Sequence, residues 1–229
     1  MQGSRSDEYC VDLIAKGDED FHLTLPYAPA RDRPRLAALF ALQVELRRIP
    51  DAVSEPPLGE IRLHWWREAL DEIAAGNRPR AHPVVKALAA ADAVDVFSRQ
   101  LLERLIDARA RVLYAPRYGG LPELAAFLAE AEAPMASLAL GRGGLEDAAN
   151  AYALARFAPL MAPLLAGEAA NEALRRGRAV RATLKTLSAE DAGRVAFLFL
   201  TLGYAVRSAR PWTIIKRLTM LRGMMTGDC

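Results

Sequence analysis

The spacing of apolar residues between Leu58 and Gly76 is the strongest constraint on what this chain can fold into. Successive apolar residues stand three or four positions apart, which places them on one face of an α-helix: Leu63, Trp66, Leu70 and Ile73. Three further residues widen that face: Ile61, Trp65 and Ala69. A glycine such as Gly76 is typical of a helix C-terminus. The pattern therefore predicts a helix that buries a broad apolar stripe.

Helical patterns also cover most of the remaining sequence. Alanine and leucine are abundant and β-branched residues are sparse, which favours helix over strand. Two internal prolines, Pro134 and Pro159, are expected to kink or split their helices. Glycine or proline marks breaks at residues 119–120, 141–144, 167 and 211. We predict an all-α fold with further helices at residues 34–49, 83–91, 95–114, 121–141, 145–165, 168–185, 189–209 and 212–225.

No repeat or long linker divides the 229 residues, so we predict a single domain over residues 1–229. Residues 1–19 are a polar lead-in, and residues 211–229 form a basic C-terminal helix and tail.

The first twenty residues are too polar for a secretory signal, and no uncharged apolar run reaches about 18 residues. The two cysteines, Cys10 and Cys229, fit no metal or disulfide pattern. These features predict a cytoplasmic protein with free thiols.

Positive charge is concentrated in the C-terminal part of the chain. Residues 174–226 contain eleven Lys or Arg against two acidic residues, a net charge of +9 in a chain whose total is +2. Such an imbalance indicates either an anionic contact, with an anionic membrane surface or a protein partner as the candidates and no nucleic acid expected, or arginines scattered on a solvated helical face. The last helix is either amphipathic and membrane-bound, or packed on the core with a basic outer face.

Three motifs within residues 20–85 carry a family resemblance. They are Arg-Pro-Arg-Leu at residues 33–36, Leu-Phe-Ala-Leu at residues 39–42 and SEPPLGEIRLHWWREAL at residues 54–70. This region resembles the N-terminal third of the squalene/phytoene synthase family, and the last motif is similar to a degenerate branch related to a mitochondrial complex I assembly factor. Weaker similarity extends to residues 148–155 and to the basic C-terminal segment. The resemblance implies a single-domain helical bundle of the isoprenoid synthase type.

Enzymes of that family ionise an allylic diphosphate and join two prenyl chains with the help of magnesium. Magnesium requires hard oxygen ligands, which the family supplies as two Asp-x-x-x-Asp clusters on facing helices. On the first cluster this sequence places Arg47 and Asp51, so one carboxylate is replaced by a cation. On the second it places Leu160 and Leu164, and we expect their apolar surroundings to fill that wall of the cavity.

Six residues are candidate ligand-binding positions: Arg47, Arg48, Asp51, Arg62, Trp65 and Trp66. The arginines either cradle an anionic group or form salt bridges with nearby acids such as Glu45 and Glu60. The tryptophans either contact a prenyl chain or pack in the core. The three histidines lack metal-ligand spacing, and no catalytic residue, metal site or cofactor is predicted.

Three functions stay open on these grounds. The first is a non-catalytic protein for binding or assembly, with respiratory complex I suggested by the branch resembled, peripheral to the inner membrane. The second is an active head-to-head prenyl transferase, which alone would need Mg²⁺. The third is a carrier of an isoprenoid ligand that kept the cavity and lost the chemistry.

Overall fold

The computed structural model describes residues 5–114, 118–206 and 213–226, and its regular structure within those ranges is entirely helical. The all-α prediction is confirmed. The chain divides into two compact units, one of Met1–His22 with Arg31–Arg117 and one of Leu23–Ala30 with Tyr118–Cys229. A single domain over residues 1–229 stays a prediction.

The first unit is built around one central helix. Helix α3 is buried along most of its length and packs against α1, α5 and α6, while α4 packs against α6. Its position follows from a run of small and apolar residues that leaves no polar face between Leu36 and Val44, apart from Gln43. The helices that begin in this unit are α1 (Arg5–Gly17), α2 (Glu19–Thr24), α3 (Arg33–Arg48), α4 (Pro56–Ala74), α5 (Pro83–Ala90) and α6 (Val96–Val112).

Helices α1 and α2 were missed by the sequence patterns, which showed only a polar lead-in at residues 1–19. The buried side of α1 consists of Cys10, Leu13 and Ile14, a short apolar stripe among charged neighbours. A stripe of three residues is too brief to stand out from a polar segment. Burial raises the pKa of the Cys10 thiol to about 12, so this cysteine is an unreactive core residue. Cys229 lies outside the described residues.

Helix α4 matches its prediction closely. It begins at a pair of prolines and is followed by Gly76, whose φ of 73° belongs to the left-handed region that glycine adopts without strain. Leu63, Trp66 and Leu70 are buried, whereas Ile61 is exposed, so the buried stripe is narrower than predicted.

The outer faces of α4 and α6 are joined by a network of ion pairs. Arg67 and Asp71 stand four residues apart, a spacing that favours a pair within α4. Instead, the Arg67 guanidinium lies 2.5 Å from Glu103 and 2.6 Å from Asp107, both on α6. Asp71 in turn lies 2.7 Å from Arg99. Two carboxylates on the neighbouring helix satisfy the arginine fork better than one on its own helix.

The second unit is built around α9. This helix packs against α7, α8, α10 and α12, and α13 packs against a 3₁₀ helix at Ala196–Leu200. Shorter 3₁₀ turns lie at Leu25–Tyr27 and Pro163–Leu165. The helices of this unit are α7 (Leu121–Ala131), α8 (Pro134–Leu140), α9 (Glu146–Met161), α10 (Ala166–Lys185), α11 (Ala189–Arg194), α12 (Thr201–Val206) and α13 (Thr213–Thr226).

Helix boundaries in this unit differ from the prediction in a few places. Pro134 splits the segment 121–141 into α7 and α8, as proline was expected to do. Helix α10 begins at Ala166, so Gly167 is not a break. The segment 189–209 is not one helix but α11, a 3₁₀ helix and α12. Pro211 and Trp212 lie outside the described residues.

The loop at residues 141–144 is confirmed as a turn. Gly141 and Gly144 have φ angles of 72° and 109°, which non-glycine residues rarely adopt. The Gly144 N–H donates to the Glu146 carboxylate at 2.9 Å. The described helices, taken one by one, are too short or too polar to cross a membrane.

A close backbone approach in the second unit gives a stability prediction. A Cβ atom on Gly193 of α11 would lie 2.3 Å from the backbone carbonyl oxygen of Tyr27. Because backbone cannot rotate away as a side chain can, Gly193→Ala should force α11 and the Leu25–Tyr27 turn apart and lower the free energy of unfolding by about 1–3 kcal/mol. Chemical denaturation measures the loss.

Gly203→Ala on α12 is the matched control. A Cβ atom at Gly203 meets nothing within 4 Å, so this variant should be as stable as the parent or more stable by up to about 1 kcal/mol. Equal stability of the two variants would contradict the close approach.

Candidate functional site

A buried ion pair lies where α2 begins and α3 ends. The Asp18 side chain has no solvent exposure, and its Oδ2 accepts a hydrogen bond from the Arg47 guanidinium, which is 17% exposed. The other oxygen, Oδ1, accepts from the backbone N–H of Phe21 at 3.1 Å and so caps the first turn of α2. Both carboxylate oxygens therefore have a donor, and Asp18 joins two helices.

Aromatic rings cover this ion pair. The Phe21 ring stacks on Phe40 with centroids 4.3 Å apart and an interplanar angle of 9°. The Arg47 guanidinium carbon lies 5.3 Å from the Phe21 centroid, within reach of a cation–π contact. A charge pair with a fully buried carboxylate and a phenyl ring against its guanidinium interacts in a setting of low dielectric constant, where losing one partner is costly. These contacts fix the orientation of Arg47.

Asp51 is placed differently. Helix α3 ends at Arg48, and Asp51 lies in a separate 3₁₀ turn at Pro50–Ala52, exposed to solvent. The sequence analysis expected Pro50 to break the helix, and it does. Arg47 and Asp51 are four residues apart but do not share a helical face, because that face requires an unbroken helix between them.

These residues do not fit a magnesium–diphosphate site. Magnesium needs several oxygen ligands at close to octahedral geometry. Asp18 already has a donor at each oxygen, and Asp51 stands alone on the surface turn. Within residues 5–114, 118–206 and 213–226, no group of three or more His, Cys, Asp or Glu side chains is arranged to hold a metal ion.

Comparison with known families identifies the family of the chain. The profile of the squalene/phytoene synthase family matches residues 14–161, well over half of the chain. This chain belongs to the squalene/phytoene synthase family. The matched region includes Asp18, Arg47 and Leu160, so the position that the sequence analysis assigned to the first carboxylate cluster falls inside it.

The chain is similar to three mammalian proteins named NADH dehydrogenase (ubiquinone) complex I, assembly factor 6. It is 31% identical to the Bos taurus protein over 147 residues, 64% of this chain and 44% of that protein. Identity to the Homo sapiens protein is 29% over 142 residues, 62% of this chain and 42% of that protein. Identity to the Rattus norvegicus protein is 30% over 139 residues, which are 61% of this chain and 41% of that protein. The matched part of the chain thus spans less than half the length of these relatives.

The two leucines that the sequence analysis placed at the second carboxylate cluster are not where they were expected. Leu160 and Leu164 are 59% and 99% exposed. The expectation that they fill a wall of the cavity is wrong, because Leu160 lies on an exposed side of the last turn of α9 and Leu164 lies in the following 3₁₀ turn, where it faces solvent. Nearby, Arg175 and Arg176 hydrogen-bond the carboxylate of Glu172 and lower its pKa to about 2.

The two tryptophans belong to an aromatic cluster in the first unit. The Trp65 and Trp66 centroids are 5.1 Å apart, and each lies edge-on to the His82 ring, at 5.7 and 5.1 Å. The Arg80 guanidinium covers the outer face of Trp65 at 5.2 Å while it pairs with Glu72 at 2.8 Å. Trp66 is buried and Trp65 is partly exposed, so both rings already have packing partners.

His82 and Tyr9 connect this aromatic cluster to α3. The Nδ1 of His82 accepts from the Val84 N–H at 3.3 Å and caps α5. Tyr9 packs edge-on against His82, with centroids 6.4 Å apart, and its hydroxyl donates to Glu45 of α3 at 3.4 Å. Burial, followed by the Glu45 charge, raises the pKa of Tyr9.

All six sequence-predicted site residues lie in the first unit, at three places. Arg47 is locked against Asp18, and Trp65 and Trp66 pack around His82. The other three are exposed on the surface: Arg48, Asp51 and Arg62. Their assignment to ligand binding stays a prediction.

The sequence analysis missed Asp18, Phe21 and His82. Arg47 was expected to pair, if it paired at all, with acids close to it in sequence, whereas its partner Asp18 lies 29 residues away. One signal was available: Asp18 follows Gly17 and precedes Phe21 by three positions, the spacing of an N-cap to the N3 residue of a helix.

The ion pair gives a second prediction. Arg47→Met should leave the buried Asp18 carboxylate without its cation and lower the free energy of unfolding by about 3–5 kcal/mol. Arg48→Met, on the adjacent exposed residue, should change it by less than about 0.5 kcal/mol. The double variant Asp18→Asn/Arg47→Met keeps the cap on α2 and should recover much of the loss. Equal effects of the two single substitutions would refute a structural role for the pair.

The cap on α5 gives a prediction of pH dependence. Burial lowers the pKa of His82, while Glu45 opposes the shift. The unfolded chain therefore takes up a proton near the ordinary histidine pKa of about 6.5, where the folded protein resists it. The contribution to stability is full above that pH and is lost as the pH falls below it.

His82→Asn retains an acceptor for the Val84 N–H and removes the titration. Unfolding free energies measured from about pH 7 to about pH 5 should fall less steeply for this variant than for the parent. His64→Asn, on the exposed side of α4, should retain the parent slope because His82 is still present. Identical slopes for the parent and His82→Asn would contradict the assignment.

Proposed function

We propose that this family member performs no prenyl transfer and acts as a binding or assembly protein for respiratory complex I, peripheral to the membrane. The observation that carries the proposal is the Asp18–Arg47 ion pair. By the family resemblance, Arg47 stands where an enzyme of the family would present its first carboxylate to magnesium.

The charge at that position argues against ionisation of a prenyl diphosphate by the family's route. Such a site gathers negative side chains that hold magnesium ions against the departing diphosphate. Here a guanidinium replaces the first carboxylate, and it is already neutralised by Asp18. For Arg47 to bind a diphosphate instead, its ion pair with the buried Asp18 carboxylate would have to break, which costs several kcal/mol.

The assembly role rests on the relatives. The printed names of the bovine, human and rat proteins describe an assembly factor of complex I, and the similarity covers more than three fifths of this chain. Because the matched part is under half of each relative, the shared region supports the role without carrying over the whole of their function. The peripheral placement is supported by the basic segment at residues 174–226.

Deletion and complementation in the native host test the proposal. The deletion strain should lose assembled complex I on native gels and accumulate partial complexes, with its polyisoprenoid content unchanged. The parent gene should restore assembly, and so should Asp51→Ala, because the proposal gives Asp51 no metal to hold. Failure of Asp51→Ala alone, together with altered polyisoprenoids, would favour the prenyl transferase.

An assay of the purified protein separates the two functions further. Incubation with farnesyl or geranylgeranyl diphosphate and Mg²⁺ should release no diphosphate above the blank. Product formation that Asp51→Ala abolishes would overturn the non-catalytic assignment.

A further inference from the structure

Helix α13 presents an apolar stripe to solvent. Four large apolar side chains recur at intervals of four, three and four residues and are all exposed: Ile214 (65%), Leu218 (63%), Leu221 (47%) and Met225 (79%). At about 100° per residue they fall within a sector of roughly 60° on one side of the helix. A contiguous exposed stripe of this kind differs from the single exposed apolar residues that any protein surface has.

The orientation of this stripe is fixed by contacts on the opposite side of α13. Met220 and Lys216 are buried, at 0% and 2% exposure, where the helix packs against the 3₁₀ segment at Ala196–Leu200. The Lys216 ammonium lies 5.5 Å from the Tyr204 ring. The Tyr27 hydroxyl donates to the Arg217 carbonyl oxygen at 3.2 Å. The helix cannot roll its apolar stripe inward without breaking these contacts.

This arrangement bears on the two sequence interpretations of the last helix. One of them was a core-packed helix with a basic outer face. Instead a lysine, Lys216, is buried and four apolar side chains face outward. The helix packs on the core as that interpretation expected, but its outer side is apolar along the stripe and basic only along the borders of the stripe.

Two arginines border the stripe. Arg217 and Arg222 are exposed, and at about 100° per residue each falls roughly 40° outside one edge of the apolar sector. Residues 213–226 contain no acidic side chain. Apolar residues flanked on both sides by long cationic side chains match a lipid interface, where the apolar groups enter the acyl boundary and the guanidinium groups reach phosphates.

We infer that α13 is a membrane-contact helix, which places Ile214, Leu218, Leu221 and Met225 in an anionic phospholipid surface with Arg217 and Arg222 at the headgroup phosphates. The inference rests on the proposed function, which places the protein at the periphery of the membrane, and it names the helix that makes the contact. A lipid surface is favoured over a protein groove because the charge bordering the stripe has a single sign.

Flotation of the purified protein with vesicles tests the inference. Vesicles of phosphatidylcholine and phosphatidylglycerol in a two-to-one ratio should carry the parent protein upward, and vesicles of phosphatidylcholine alone should carry far less. Ile214→Ser/Leu218→Ser should weaken binding by roughly tenfold or more, because the apolar side chains can no longer leave water. Arg217→Gln/Arg222→Gln should weaken it by about fivefold per arginine, and added salt should reduce that difference.

Two control variants remove the same kinds of side chain from surfaces outside α13. Leu164→Ser removes an exposed leucine elsewhere in the second unit, and Arg178→Gln/Lys185→Gln removes two exposed charges from α10. Leu164→Ser should bind the vesicles like the parent, and the α10 pair should bind more tightly than the α13 arginine pair. Circular dichroism of each variant verifies that the helices are intact.

The outcomes are separable from those of the proposed function. Absence of flotation with the parent protein, or equal losses in the α13 variants and their controls, would overturn the inference whatever the deletion strain shows. Flotation that depends on α13 in a protein whose deletion leaves complex I intact would retain the inference and reject the assembly role. Concentration-dependent dimerisation that the α13 variants abolish, without vesicle binding, would assign the stripe to a second copy instead.

Discussion

A single carboxylate, that of Asp18, connects the start of α2 to the end of α3. Its two oxygens accept different hydrogen bonds. Oδ1 accepts from the Phe21 N–H and caps α2, and Oδ2 accepts from the guanidinium of Arg47. Because the side chain is wholly buried, neither bond can be exchanged for one to water without exposing the core. The stacked rings of Phe21 and Phe40 depend on the same geometry, because Phe21 supplies both the capped amide and the ring that covers Arg47.

The same interaction differs in its electrostatics from a cluster of carboxylates that binds magnesium. Carboxylates gathered on facing helices repel one another unless cations lie between them. A single Asp–Arg pair has no such requirement, because it brings opposite charges into contact and leaves the pair neutral. The cation of the Asp18–Arg47 pair is part of the protein itself, so the pair holds α2 and α3 together without a bound ion. The relatives' role in assembly is compatible with a scaffold of that kind.

Local pattern was sufficient for much of the helical structure. The α4 stripe, its end before Gly76 and the split at Pro134 all follow from rules that act over a few residues. The prediction was poorest where the apolar signal was brief or irregular. Helix α1 buries only three residues among charges, and residues 189–206 form two short helices and a 3₁₀ segment that no single period describes. At the candidate site, the sequence located Arg47 but not its partner, because pairing across 29 residues depends on how α2 and α3 pack.

The sequence by itself determined which side chains are available: a cation stands at position 47, and leucines stand at positions 160 and 164, whatever the packing. It also determined that Ile214, Leu218, Leu221 and Met225 share one side of a helix. Only the tertiary structure decided where those faces point. Periodicity tells which residues lie together, but whether their face is covered depends on neighbours brought from distant parts of the chain. Thus Arg47 pairs with the buried Asp18, Leu164 is exposed, and α13 keeps Lys216 inside while its apolar stripe faces solvent.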